Sequence, residues 1–143
     1  MQNLTLSISA GAVWGKAWPI LFAILFFGVI IALHEFGHFS TAKLFRIRVN
    51  EFSIGMGPAI FKKKMGETLY ALRLLPIGGF VSLEGEDEIS EDPRAFGNQK
   101  AWKRFIVIAA GAFLNIVLGL VLIGVMLGIS GTVPTTVVSD VTE

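Results

Sequence analysis

The chain has 143 residues, 53% of them hydrophobic and only 16% charged, with a mean hydropathy of +0.68. Soluble domains carry about 25% charged residues, so the composition argues for a membrane protein and against a water-soluble globular domain. The absence of cysteine excludes a disulfide framework, a thiolate metal site and a thiol nucleophile; a net charge of +1 with no basic stripe leaves no nucleic-acid partner to expect.

Residues 1–16 are small and polar, with Lys16 the single basic side chain. No basic segment precedes the apolar run that follows, and that run ends in histidines rather than a small-residue cleavage site. The stretch therefore reads as an N-terminal tail, not a signal peptide. Residues 17–45 predict a first transmembrane helix, with Pro19 in its first turn, where a missing N–H is harmless. The apolar part, residues 20–33, falls short of the roughly 20 residues needed to span. The helix must therefore take in His34-Glu35-Phe36-Gly37-His38, near one end of the span. Ionisable groups in hydrocarbon cost about 2.5–3.5 kcal/mol each, so these three should serve something. His34 and His38 stand four apart on one helix face, the spacing that lets two imidazoles hold one zinc ion, and Glu35 sits one position round, within reach of water at the metal. The plainer alternative is a pair of histidines hydrogen-bonding between helices.

Residues 46–83 change pattern to a membrane-associated β-segment. Glu51-Phe52-Ser53-Ile54 and residues 68–74 are rich in β-formers, while Gly55-Met56-Gly57-Pro58 and Pro76-Ile77-Gly78-Gly79 are breakers. A hairpin is expected between residues 59–61 and 68–70, with its tip at residues 62–67. The tip lysines 62–64 suit a solvated turn or a contact with anionic lipid. The glycines allow close backbone approach, although turn formation alone accounts for them equally well.

Residues 84–100 form an acidic loop with six carboxylates between Glu84 and Asp92, read as solvated in preference to metal-binding. Trp102, flanked by Lys100, Lys103 and Arg104, anchors a second transmembrane helix over residues 101–129. Its apolar part holds one amide, Asn115, which suits either helix–helix hydrogen bonding or a place near the site. Residues 130–143 turn polar, and Val137-Val138-Ser139-Asp140-Val141 would suit the first strand of a further domain. Of the 12 Lys and Arg residues, only Lys16 lies outside the stretch between the two apolar runs. The positive-inside rule then puts that stretch in the cytoplasm and both termini outside, in a multi-pass protein of the cell (inner) membrane.

The sequence resembles the intramembrane site-2 zinc metalloproteases, in particular the bacterial branch that includes the regulator of sigma-E protease. The matching blocks are His34-Glu35-Phe36-Gly37-His38, Phe52-Ser53-Ile54-Gly55-Met56-Gly57 and Leu75-Pro76-Ile77-Gly78-Gly79-Phe80-Val81. Arg94-Ala95-Phe96, Trp102-Lys103-Arg104 and Ala109-Ala110-Gly111 before Asn115 complete them, in the family's order and spacing from about residue 20 to 120. The resemblance implies that His34 and His38 bind Zn2+ and that Glu35 is the general base. It makes Gly55, Met56, Gly57, Gly78 and Gly79 part of a membrane-reentrant β-loop that receives an extended substrate, and residues 137–141 the entry to a PDZ-type domain. The fold class expected is membrane α-helical: two transmembrane helices, an intervening β-hairpin or small sheet, and the start of that domain.

Two departures from the family stand out. Ala112 replaces the family's proline before Asn115, and the family's third ligand, an aspartate on a later helix, has no counterpart in these 143 residues. A missing C-terminal part is expected to supply it. The function expected is a zinc-dependent intramembrane endopeptidase acting on single-span substrates such as anti-sigma factors or remnant signal peptides. The alternative is a non-catalytic fragment or split subunit with an incomplete zinc site. A membrane-anchored protease with a cytosolic HExxH domain lacks the polar domain it would need, and a zinc transporter lacks the spans.

Overall fold

The computed structural model describes residues 10–130, in the order α1 (Ala10–Leu44), β1 (Val49–Met65), β2 (Thr68–Leu83) and α2 (Ala101–Ser130). Two apolar helices and a small antiparallel sheet thus match the expected class, while residues 131–143, where a PDZ-type strand was expected, lie outside the described residues. Within α1 and α2, Ala17–Leu44 and Ala101–Ile129 are long and apolar enough to cross a membrane. At about 1.5 Å per residue, 28 residues reach about 42 Å, beyond the roughly 30 Å of hydrocarbon. Large apolar side chains such as Phe22, Phe27, Phe113 and Leu120 stand more than half exposed along both helices, a surface suited to lipid.

Helix α1 begins before the predicted span, so Pro19 falls inside the helix rather than in its first turn. The helix closes on Arg46, a non-glycine residue at φ 59°. Arg46 N–H donates to the Lys43 carbonyl and Ile47 N–H to that of Ala42, a Schellman arrangement, with Ile47 and Ala42 meeting in the apolar core.

The β-layer is a pair of long, bent strands. Pairing is antiparallel, but residues 51–54 have partners on both sides. Glu51, Phe52, Ser53 and Ile54 face Ser82, Val81, Phe80 and Gly79 on one side, and Leu69, Tyr70, Ala71 and Leu72, running the same way, on the other. The expected breakers are therefore bends within strands rather than strand ends: Gly55, Gly57 and Gly78 take φ values of 86°, 82° and 85°. The expected tip at residues 62–67 is also tighter, since β1 runs through the lysines to Met65 and the chain reverses at Gly66 and Glu67.

Arg73 ties the bends together. Its guanidinium donates to Ser53 Oγ at 2.6 Å, the Gly57 carbonyl at 2.8 Å and Glu51 Oε1 at 2.7 Å, and it lies over the Phe80 ring.

The sheet runs along α1. Its turn end is fixed by a Lys43–Glu67 ion pair at 3.3 Å, its middle by Phe39 against Phe52 and Tyr70, and its far end by the Pro76 carbonyl packed on Gly28. From residue 43 to residue 28 is about 22 Å along the helix, so the sheet's Pro76 end lies well down the predicted span. A small core of Ala42, Ile47, Val49, Leu83 and Val107 sits where the helix and strand ends meet.

The acidic loop is partly built rather than wholly solvated. Glu84 accepts from Asn50 at 2.8 Å and Ser90 at 2.7 Å, and Asp92 pairs with Arg48 at 3.1 Å, while Glu86, Asp87, Glu88 and Glu91 are exposed. Among the described residues no group of three metal-ligating side chains forms there or elsewhere.

Candidate metal centre

The two helices pack antiparallel with their backbones nearly touching. A Cβ on Gly37 would stand 2.6 Å from the Ala110 carbonyl oxygen and 2.9 Å from the Gly111 Cα. Glycine at both positions removes that obstacle, and the close approach sets the register: His38 faces Val107, His34 faces Asn115, and Gly111 lies between. Val107, Gly111 and Asn115 recur every four residues, so one face of α2 meets one face of α1.

His38 Nδ1 lies 2.7 Å from the Val107 carbonyl oxygen. A carbonyl can only accept, so Nδ1 carries the hydrogen and Nε2 keeps its lone pair when the ring is neutral. His34 Nδ1 lies 3.2 Å from the Asn115 amide. The rings stand nearly perpendicular, 4.8 Å between centroids. A Cβ on Gly111 would meet His38 Nε2 at 2.5 Å and both Cε1 and Nε2 of His34 at 2.8 Å, so the two rings bring their Nε2 ends to the same glycine. The glycine thus lets two imidazoles lie against α2, each with its other nitrogen engaged by that helix. A ligand histidine ordinarily donates its second N–H to an acceptor, as His38 does to the Val107 carbonyl, and with His34 Nε2 beside its own Nε2 the pair suits zinc.

Glu35 faces the β-layer. A Cβ on Gly79 would stand 3.3 Å from Glu35 Cγ and 2.9 Å from the Ser53 carbonyl, so this glycine lets β2 pass between the carboxylate side chain and the neighbouring strand. Glu35 and His38 share a cavity of about 310 Å³ with Val81, Leu83, Glu86, Phe96, Val107 and Ile108. This is room for water and an adjoining peptide group.

The predicted glycines divide. Gly79 lies against Glu35, whereas Gly78 packs under the Met56 side chain and Gly55 beside the Leu75 carbonyl, at the deep end of the sheet. Gly57 is exposed near the Leu75 side chain. Sequence reasoning did not single out Gly37, Val107 or Gly111 as parts of the site. Their signal was present as a glycine inside the HExxH segment and as Gly111 four residues before Asn115.

At the helix end, the ionic groups outside the predicted spans hold their carboxylates in the charged form. The hydrogen bond from Arg94, at 2.7 Å, is the main cause that lowers Glu67 below its ordinary 4.5, assisted by Lys43. Asn50 and Ser90 lower Glu84, and the Arg94 backbone N–H with Arg48 lowers Asp92.

The pattern of Peptidase family M50 matches residues 22–143. The chain belongs to this family. A protein of Fusobacterium nucleatum named "putative zinc metalloprotease" is 46% identical over 113 residues, covering 79% of this chain and 33% of its own length. Similarly named proteins of Clostridium perfringens and Clostridium acetobutylicum are 50% and 48% identical over 103 residues each, covering 72% of this chain and 31% and 30% of their own lengths. The chain spans about a third of the length of the curated relatives it matches. Family membership and the two apolar helices together make it a membrane protein of a metalloprotease family.

Proposed function

We propose that the chain is the zinc-holding part of an intramembrane endopeptidase that cleaves single-span membrane proteins, with anti-sigma factors and remnant signal peptides as substrate classes. The observation that carries the reading is that His34 and His38 bring their Nε2 ends to the same glycine, Gly111. His34 and His38 would hold Zn2+, with an aspartate from sequence beyond this chain as third ligand. Bound zinc would supply Lewis acidity, polarising the scissile carbonyl and bringing the pKa of water to about 7. Glu35, on the same cavity as His38, accepts the proton of the attacking water and passes it to the leaving amine.

A transmembrane substrate must also be unwound, because a helix ties up its carbonyls in its own hydrogen bonds. The bent β-layer beside α1, with Gly79 against Glu35 and its Gly55, Met56, Gly57 and Gly78 end deeper along the span, offers strand edges that an extended peptide can join. The basic residues between the spans favour a cytoplasmic β-layer in the cell (inner) membrane, with both ends of the chain outside.

Reconstitution of the full-length protein with a model single-span substrate tests this. Glu35→Gln is expected to lower cleavage at least about 100-fold while zinc content is retained; undiminished cleavage would overturn the role of Glu35. A second reading is a non-catalytic fragment or split subunit, with an incomplete zinc site, that acts in assembly or substrate binding. It predicts no cleavage by the full-length wild-type protein.

A further inference from the structure

The two histidines receive different partners from α2. Val107 offers His38 a carbonyl oxygen, which fixes the proton on Nδ1. Asn115 offers His34 an amide, which can present either an oxygen or an NH2 group. With Nδ2 towards the ring at 3.2 Å, His34 Nδ1 must accept, its proton moves to Nε2, and Asn115 Oδ1 stays buried without a partner. With the amide turned by about 180°, Oδ1 accepts the Nδ1 proton, and Nε2 beside Gly111 keeps its lone pair. The turn places the amino group where Oδ1 had been, so a buried donor goes without a partner there in exchange for the carbonyl gaining one.

We propose that Asn115 is a positioning residue that holds His34 in the Nδ1–H tautomer by presenting its amide oxygen, so that α2 prepares both imidazoles in the same metal-binding form. This rests on the zinc-peptidase reading for its purpose, but the tautomer can be read without metal. The same face of α2 that receives both rings at Gly111 would then also set the proton on each of them.

The chain has only two histidines, so its imidazole 15N spectrum holds four ring resonances that can be assigned by substitution. In zinc-free protein in nanodiscs at alkaline pH, both rings are expected to be Nδ1–H. Asn115→Leu should shift His34 towards Nε2–H and leave His38 unchanged, and Asn115→Asp, which can only accept when ionised, should restore the Nδ1–H form. In the full-length protein, Asn115→Leu should weaken zinc binding about 10- to 100-fold in competition with a chelator, with Asn115→Asp retaining it.

A wild-type His34 protonated on Nε2, or His34 shifts unmoved by Asn115→Leu, would overturn the proposal. If Asn115→Leu disturbs His38 as well, the Asn115→Asp spectrum decides, since loss of the Nδ1–H form there overturns it. Failure of the zinc-peptidase reading looks different: the tautomer shifts appear, but added zinc moves neither Nε2 resonance.

Discussion

Gly111 of α2 and His38 of α1 are so close that a methyl group on the glycine would stand 2.5 Å from the imidazole Nε2. The same methyl would meet Cε1 and Nε2 of His34 at 2.8 Å, so the missing side chain is what lets both rings lie side by side against α2. Gly111→Ala sets two effects against each other. Alanine favours helix by about 0.8–1.0 kcal/mol over glycine, but here its methyl would push the two imidazoles out of the positions they share. The expected outcome is an intact helix content by circular dichroism with zinc affinity reduced at least about tenfold, measured by chelator competition in the full-length protein. Unchanged affinity would show that the ring positions set at Gly111 are not those that hold the metal.

Arg73 holds the β-layer's bend through three hydrogen bonds, one of them to the fully buried Ser53. Hydrogen bonds to charged groups contribute about 1.5–3 kcal/mol, and truncation would also leave Glu51 without its cation. Arg73→Met is expected to destabilise the β-layer by about 2–4 kcal/mol. The loss should be read as faster amide hydrogen exchange in residues 51–57 and 79–82, with α2 unaffected. Arg73→Lys should restore little, because one ammonium cannot reproduce a planar fork that spans a hydroxyl, a carbonyl and a carboxylate.

Glu67 links α1 to the loop before α2 through Lys43 at 3.3 Å and Arg94 at 2.7 Å. Its folded pKa is lowered, so the stabilisation is fully present above the ordinary value of 4.5 and is lost as pH falls through the folded value. Glu84 follows the same sign from 4.5, and Asp92 from 3.8. Thermal stability should therefore be flat from neutral pH to about 5 and fall below it. In Arg94→Ala, the folded pKa of Glu67 returns towards its ordinary value, so the Glu67 part of the fall should shrink, measured as a smaller loss of thermal stability between about pH 5 and pH 3 than in the wild type. The pairs are exposed, so the difference should shrink in high salt.

Much of this was legible from residue type and spacing. The apolar runs required two spanning helices, and His34, Glu35 and His38 announced themselves because charge at membrane depth is costly. Their partners were hidden for a different reason. Val107 contributes only its backbone carbonyl, which any residue could supply, and Gly37 and Gly111 contribute the absence of a side chain. Nothing in composition distinguishes such glycines from those at Gly119, Gly124 and Gly128, which meet nothing within 4 Å. The breakers were misread as strand ends because glycine at positive φ marks both turns and bends, and only the pairing of residues 51–54 with two partners separates them. Arg46 likewise carried no cap signal, since the helix ends in a left-handed residue that is not glycine, held by Ile47 packing on Ala42.

On the proposed reading, His34 and His38 hold one zinc ion through Nε2. Zinc X-ray absorption on the full-length protein tests it most directly. Two imidazole nitrogens at about 2.0–2.1 Å are expected, one lost in each of His34→Ala and His38→Ala. Zinc bound without imidazole scattering, or an imidazole shell unchanged by either substitution, would contradict it.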